Sequence, residues 1–400
     1  MQINSAVRDS ELKRKSIEES NLLQTEQWGI FKSGASWSYD FARILDDNAY
    51  EVGYFLALFR KTPMGVLAYL PHGPVIYDWD QADASELKNC LINYSRSRNL
   101  MNITIDPMII RTSTPPSGLI IRSSESERIA DKLKASGFIH SGYNRGLDAG
   151  TQPRFQAVVY REDYEKGNKK LSQYCRIASR RGVEVDIFSG DNVQNAVESF
   201  FDILHKTEQR KGIHLRSVDY FRNMADTLDN VELYLGKIDI PSLRSKNEMK
   251  IKATQDQINL AKSKKTLNKL NETLASLEKE RIALKSASEL SPSQTPYISC
   301  ALTVTCGHTA ELLYAGFDET YKHFQPAYLT WQIAVQHCFN NGALAVNLGG
   351  ITGYDDDPLL CFKKNFNPTI EEYIGEFNLP IKPLRYSLFN TALKLYKRIL

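Results

Sequence analysis

A segment of 42 residues without glycine or proline constrains the fold of this chain more than any other feature. It runs from Arg244 to Lys285 and consists mainly of Lys, Glu, Gln, Asn, Leu and Ala. Its leucines have the three-four spacing of a coiled-coil seam: Leu267, Leu270, Leu274, Leu277 and Leu284. Ile251 and Ile258 offer a partner seam. We expect two helices that turn near Ser263 and pack as an antiparallel hairpin, because each is too short for a dimerisation rod.

The same segment concentrates positive charge. It holds eleven Lys or Arg and five Asp or Glu, a net charge of +6, whereas the whole chain, with 50 basic and 47 acidic residues, carries only +3. Two interpretations stay open at this point. The charges can form a solvated helical face, as basic runs commonly do, or they can supply a local contact for a polyanion.

The rest of the chain alternates strand-like and helical patterns, which indicates an α/β (α+β) architecture. Four hundred residues with 42% hydrophobic content suffice for two or three domains.

The amino terminus lacks the apolar core of a signal peptide, and no window of eighteen uninterrupted apolar residues follows. The six cysteines are scattered without a Cys-x-x-Cys pair. We therefore expect a cytoplasmic protein without a metal and without a cofactor.

Two tracts have the pattern of a site. An apolar run, 343–348, leads into the glycine turn 349–353 and then into Phe362-Lys363-Lys364, which places two ammonium groups beside phenylalanine. The absence of Gly-Lys-Ser/Thr argues against a nucleotide-phosphate loop. Elsewhere, Asp106 ends a strand-like run directly before Pro107, where the backbone must turn and present the carboxylate. It is a candidate general base or a residue that only orders the turn.

Ten short motifs follow one another in a fixed order along nearly the whole chain. They are Trp28 with Lys32, Gly73-Pro74-Val75, Asp106-Pro107, Gln152-Pro153-Arg154, Gly182-Val183-Glu184-Val185, Thr207 to Arg216, Tyr314-Ala315-Gly316, Leu348-Gly349-Gly350, Phe362-Lys363 and Tyr373-Ile374-Gly375-Glu376. In this order they resemble the Fem family (FemABX and MurM–MurN-like). Its members are non-ribosomal aminoacyltransferases that move an amino acid from aminoacyl-tRNA onto the peptidoglycan stem peptide.

The resemblance implies two acetyltransferase-like (GNAT-type) domains with the antiparallel coiled-coil hairpin inserted in the second. On this basis the first domain comprises residues 1–151 plus 377–400, the second 152–242 plus 292–376, and the helical arm 243–291. The inserted arm is a feature of the longer members that act on lipid-linked precursors.

The resemblance also implies roles for individual residues. Lys32 and Arg216 match positions that hold the precursor diphosphate, and their ammonium and guanidinium groups suit phosphate oxygens. Tyr220 lies one helical turn beyond Arg216 and can add a hydroxyl to the same anion. Tyr314 and Phe362 are expected to face substrate. Lys363 is expected to stabilise the ester oxygens during transfer, with Asp106 as the candidate base.

The expected function is transfer of an amino acid, alanine or serine in preference to glycine, from aminoacyl-tRNA to a stem-peptide lysine or a growing bridge. The acceptor is a peptidoglycan precursor, lipid II in preference to a UDP-linked muropeptide. We expect a monomer in the cytoplasm, with peripheral contact at the inner face of the membrane. An acyl-CoA-dependent N-acetyltransferase and a non-catalytic tRNA-binding protein are the alternatives.

Overall fold

The computed structural model of the chain describes residues 1–5, 21–34, 37–147, 150–212, 216–290 and 293–399. Its strands in chain order are β1 (Gln2–Asn4), β2 (Ser38–Leu45), β3 (Glu51–Thr62), β4 (Gly65–Leu70), β5 (Val75–Ile76), β6 (Leu100–Ile105), β7 (Ile110–Thr114), β8 (Ile121–Arg122), β9 (Ile139–His140), β10 (Phe155–Tyr160), β11 (Glu184–Ser189), β12 (Val231–Lys237), β13 (Tyr297–Cys306), β14 (Thr309–Phe317), β15 (Ala345–Ile351), β16 (Thr369–Tyr373) and β17 (Phe377–Pro380). Its α-helices are α1 (Glu26–Ser33), α2 (Ala84–Arg96), α3 (Ser124–Ala135), α4 (Arg161–Glu165), α5 (Lys169–Arg180), α6 (Val193–Lys211), α7 (Val218–Thr227), α8 (Ile240–Leu260), α9 (Lys264–Leu290), α10 (Pro326–Asn340), α11 (Pro358–Lys363) and α12 (Pro383–Ile399).

The strands form two mixed sheets. The first sheet has the order β1-β2-β3-β4-β6-β17-β9, with β5 paired to β3, and the second has the order β11-β12-β13-β14-β15-β10-β16-β7-β8. The predicted α/β class is thereby confirmed, and the division into two domains stays a prediction. β17 pairs with β6, which brings the chain after residue 376 back to the first sheet. In the other direction β7 pairs with β16, so residues 110–122 extend the second sheet although the predicted boundary assigns them to the first domain.

A shared hydrophobic core lies between the two sheets. From the first half of the chain it receives aromatic side chains such as Trp28, Phe31 and Phe41, and from the second half Phe200 and Phe221, which lie on α6 and α7. All five are buried. Burial of large aromatic side chains contributes strongly to stability, so the two halves are held together by a core rather than by a polar contact surface alone.

Among the described strands, each sheet contains one pair of parallel neighbours, and a helix lies between the two strands in sequence. In the first sheet β4 and β6 stay paired from Val66 to the end of β4 at Leu70. In the second sheet β14 and β15 pair only from Thr309 to Glu311, opposite residues 345–347. Beyond that point β14 continues along β13 and β15 continues along β10. We call this separation, after Glu311 and Asn347, the strand fork.

The predicted hairpin is formed by α8 and α9, which are connected by residues 261–263. The five seam leucines are the less exposed positions of their turns, and Ile251 is buried opposite them. The Asn247 side-chain amide also donates to the Leu277 carbonyl, 3.1 Å away. We call this pair of helices the arm.

Candidate active site

Four of the residues predicted to bind substrate come together at the edge of the shared core. The ammonium of Lys32, at the end of α1, lies over the rings of Trp28, Phe31 and Tyr220, at 5.7, 5.8 and 5.7 Å from their centres. The Arg216 guanidinium lies over the same Tyr220 ring at 5.3 Å. The Tyr314 hydroxyl donates to that of Tyr220 at 3.4 Å. A helix end, a helix start and a strand therefore build one polar patch.

Lys32 and Arg216, which we call the cation pair, repel each other. Burial, reinforced by the charge of Arg216, lowers the pKa of Lys32 to about 8. Within the described part of the chain no carboxylate forms an ion pair with either cation. Two adjacent cations are a suitable place for a multivalent anion, because its charge removes their repulsion.

Lys363 lies at the strand fork. It ends α11, is 2% exposed, and its ammonium donates to the carbonyls of Gly349 and Gly350, both at 2.9 Å. Gly349 has φ +84°, and a Cβ on it would come within 3.8 Å of this ammonium and 3.7 Å of the Leu312 carbonyl. The ammonium therefore sits just beyond the point where β14 and β15 separate. Its neighbour Lys364 is exposed.

Burial lowers the pKa of Lys363 to about 7. The nearby carboxylate of Asp357 opposes this shift, and the charge of Lys211, at the end of α6, adds to it. A lysine with this pKa exists in both charge states at neutral pH. An approaching anion or a developing oxyanion favours the charged state, so the group can respond to charge that appears during a reaction.

Phe362 and Asp106 are placed differently. The Phe362 ring packs against Tyr328 and Trp331, at 4.7 and 5.0 Å between ring centres, as part of an aromatic cluster behind Lys363. Asp106 follows β6 in the first sheet and is buried. Its two oxygens accept hydrogen bonds from the Tyr69 hydroxyl at 2.7 Å and the His72 backbone N–H at 2.6 Å.

The contacts of Asp106 are those of a group that orders a strand end. Burial raises its pKa well above the usual range. None of its hydrogen bonds involves the cation pair or Lys363. The role of Asp106 as a base stays a prediction. Its hydrogen bonds to Tyr69 and His72 fit the alternative role, in which it orders the turn.

The sequence matches a known protein family along nearly its whole length. The model of the FemAB family matches residues 13–394. The chain belongs to the FemAB family. It is 26% identical over 408 residues to the lipid II:glycine glycyltransferase of Staphylococcus saprophyticus, covering 96% of this chain and 94% of that protein. It is 24% identical over 398 residues to the protein of the same name from Staphylococcus epidermidis, covering 94% and 91%.

The same family fold is seen in a solved structure. The crystal structure of FemX superposes with a TM-score of 0.70 at 22% identity, covering 93% of this chain and 96% of that one. The family model and the named relatives confirm the predicted family and the enzyme class of aminoacyltransferase. Both named relatives carry glycine in their names, whereas alanine or serine was predicted.

This FemAB-family enzyme also has polar residues at the strand fork that the sequence did not reveal. The Asn347 side chain accepts from the Gly349 N–H at 2.8 Å and donates to Gln156. It also stands opposite Glu311 in the last paired register of β14 and β15, where it opposes the rise in the pKa of that carboxyl group. Glu371 lies close by and accepts from the Tyr160 and Tyr373 hydroxyls. This network fixes the glycine turn whose carbonyls hold Lys363.

Stability should depend on the protonation of Glu311. Burial, with a contribution from Glu371, raises the pKa of Glu311 to about 8 from an ordinary 4.5. The folded state binds this proton more tightly than the unfolded state, so the group's contribution is complete below pH 4.5 and is lost as pH rises towards 8. Denaturant unfolding of Glu311→Gln at several pH values should lack this loss, whose slope reaches about 1.4 kcal/mol per pH unit.

Glu125→Gln supplies the control, because Glu125 is exposed on α3. Its unfolding free energy should follow the wild-type curve at every pH. The interpretation of Glu311 is wrong if the curves for wild type and Glu311→Gln run parallel between pH 5 and about 8.

Within the described ranges, no group of three His, Cys, Asp or Glu side chains could hold a metal ion. No helix in those ranges is both long enough and apolar enough to cross a bilayer.

Proposed function

We propose that this enzyme transfers glycine from glycyl-tRNA to the stem-peptide amine of lipid II. The observation that carries the proposal is the buried ammonium of Lys363 at the strand fork, held by the carbonyls of Gly349 and Gly350. The choice of glycine and of lipid II rests on the names of the relatives. It replaces the earlier preference for alanine or serine.

The chemistry requires a donor of positive charge. The acceptor amine attacks the ester carbonyl of the aminoacyl-tRNA, the new C–N bond forms, and the bond to the ribose oxygen breaks. Negative charge develops first on the carbonyl oxygen and then on the ribose oxygen, while the amine loses a proton that the ribose oxygen finally gains. A fixed ammonium at Lys363 stabilises both oxygens in turn.

The cation pair suits the diphosphate of the acceptor. A guanidinium fork and an ammonium within reach of one tyrosine offer several donors to phosphate oxygens. Because Tyr314 lies on β14 three residues beyond Glu311, the same strand leads from the fork to the cation pair. An acceptor held there by its diphosphate can extend its stem peptide along β14 towards Lys363.

One side of the arm suits the RNA of the donor. A groove between the arm and the end of α5 is lined by Arg180, Lys250, Lys269 and Lys279, with Glu272 and Glu280 as its acidic members. A surface that concentrates cations in this way attracts a phosphate backbone. Of the two interpretations of the arm's charge, polyanion contact is the one that we adopt.

A matrix of donors and acceptors tests the proposal. We expect transfer of labelled glycine from glycyl-tRNA to lipid II, at least tenfold faster than alanine or serine from their tRNAs, and none from acetyl-CoA. A UDP-linked muropeptide shares the diphosphate and serves as the second acceptor. Equal use of the three amino acids would reject glycine specificity, and transfer from acetyl-CoA alone would reject the tRNA donor.

A further inference from the structure

The last helix, α12, turns leucines towards solvent. Leu384 and Leu388 are 84% and 62% exposed, and Ala392, one turn further along the same face, is exposed as well. The opposite face is anchored, because the Tyr386 hydroxyl donates to Asn378 of β17 at 2.9 Å. An apolar stripe on the outer side of an anchored helix has no contact within the described protein to account for it.

The sequence around this stripe is strongly basic. From Phe377 to the final residue there is no Asp or Glu, and the segment contains five basic residues: Lys382, Arg385, Lys394, Lys397 and Arg398. The charge of this segment exceeds that of the whole chain, which is +3. A segment that combines exposed leucines with five basic and no acidic residues has the composition of one that lies in the interface of an anionic bilayer.

We propose that α12 docks this enzyme on an anionic membrane surface. Leu384 and Leu388 enter the boundary between headgroups and acyl chains, and the exposed guanidinium of Arg385 contacts lipid phosphates. A second copy of the chain is a poor occupant of this face, because two identical basic helices would repel each other. The choice of lipid over an acidic protein rests on the proposed function, since lipid II is held in a membrane.

Sedimentation of the full chain with lipid vesicles tests the proposal. Wild type should bind vesicles that contain about one third phosphatidylglycerol at least tenfold more tightly than vesicles of phosphatidylcholine alone, and high salt should weaken this binding. The double variant Leu384→Ser/Leu388→Ser should lose about tenfold in affinity for the anionic vesicles. Its melting temperature should stay unchanged, because both side chains are exposed.

The loop between β7 and β8 offers a matched control. Leu119 and Ile120 are 69% and 59% exposed, so Leu119→Ser/Ile120→Ser removes similar apolar surface elsewhere and should keep wild-type vesicle binding. Equal binding by wild type and the α12 variant, or loss of binding in the loop variant alone, would overturn the assignment. Vesicle binding needs no transfer, and the α12 variant should use a water-soluble UDP-linked acceptor at the wild-type rate. Vesicle binding therefore tests the docking proposal alone, and transfer to the soluble acceptor tests the proposed chemistry alone.

Discussion

Replacement of Lys363 by methionine is expected to lower the rate of aminoacyl transfer by about 10²- to 10³-fold, which corresponds to about 2.7–4 kcal/mol. Methionine fills similar space but cannot donate to an oxyanion. The loss should appear in kcat at saturating donor and acceptor, because the stabilised charge exists mainly in the transition state. Single-turnover transfer from labelled aminoacyl-tRNA measures it directly.

Lys364→Met is the matched control. Lys364 is adjacent in sequence but exposed, whereas Lys363 is buried against two carbonyl groups. The control should keep the wild-type rate within about twofold, as exposed charges away from a site usually have little effect. An equal loss in both variants would show that the enzyme responds to basic charge in this helix rather than to the group at the fork.

The pH profile provides a second readout. Because the pKa of Lys363 lies at about 7, its charged form declines as pH rises through that value. The acceptor amine must lose a proton, which by itself raises the rate with pH. Lys363→Arg keeps its charge over the whole range. It should be slower than wild type, yet the decline of rate above pH 7 that is due to Lys363 should vanish.

The arm could be predicted from the sequence because its information is local. A run without glycine or proline has few alternatives to helix, and the leucine spacing selects the buried side without reference to any distant residue. The turn expected near Ser263 agrees with the observed connection at residues 261–263. The cation pair was predicted in another way, from the positions of the family's motifs in the sequence. The structure shows only that the two side chains lie together.

The strand fork could not be predicted in this way. It depends on where β14 and β15 stop pairing, and the two strands are separated in sequence by α10. Glu311 lies between the buried residues Ala310 and Leu312, so alternation assigns it to the other, more exposed face of the strand. The residues that shift the pKa of its carboxyl group, Asn347 on β15 and Glu371 on β16, lie far from it in sequence. The same dependence on distant pairing explains why β7 was expected in the first domain.

Removal of either member of the cation pair should weaken binding of the acceptor. Lys32→Met and Arg216→Ala are each expected to raise KM for lipid II by about 10- to 100-fold, the loss of one charge-assisted contact worth about 1.5–3 kcal/mol. kcat should change little, because a diphosphate held away from the reacting carbonyl is bound equally in ground and transition states. Steady-state kinetics with saturating aminoacyl-tRNA separates the two parameters.

Arg210→Ala controls for loss of an arginine near the same region, since Arg210 lies near the end of α6 and pairs with Glu319. Its KM should match wild type. An acceptor analogue without the diphosphate should bind all four proteins equally weakly, and a persistent difference between them would show that the pair contacts another part of the precursor.

The pKa of Lys32 predicts a pH dependence of KM for lipid II that a purely structural role of this residue would not produce. An anion beside the ammonium raises that pKa from its value of about 8, so binding of the diphosphate and protonation of Lys32 favour each other. Wild-type KM for lipid II should therefore increase as pH rises through about 8. In Lys32→Met this dependence should disappear, whereas Arg216→Ala should retain it at a higher pH, because removing the neighbouring charge lets the pKa of Lys32 rise. A pH-independent wild-type KM would place the diphosphate elsewhere.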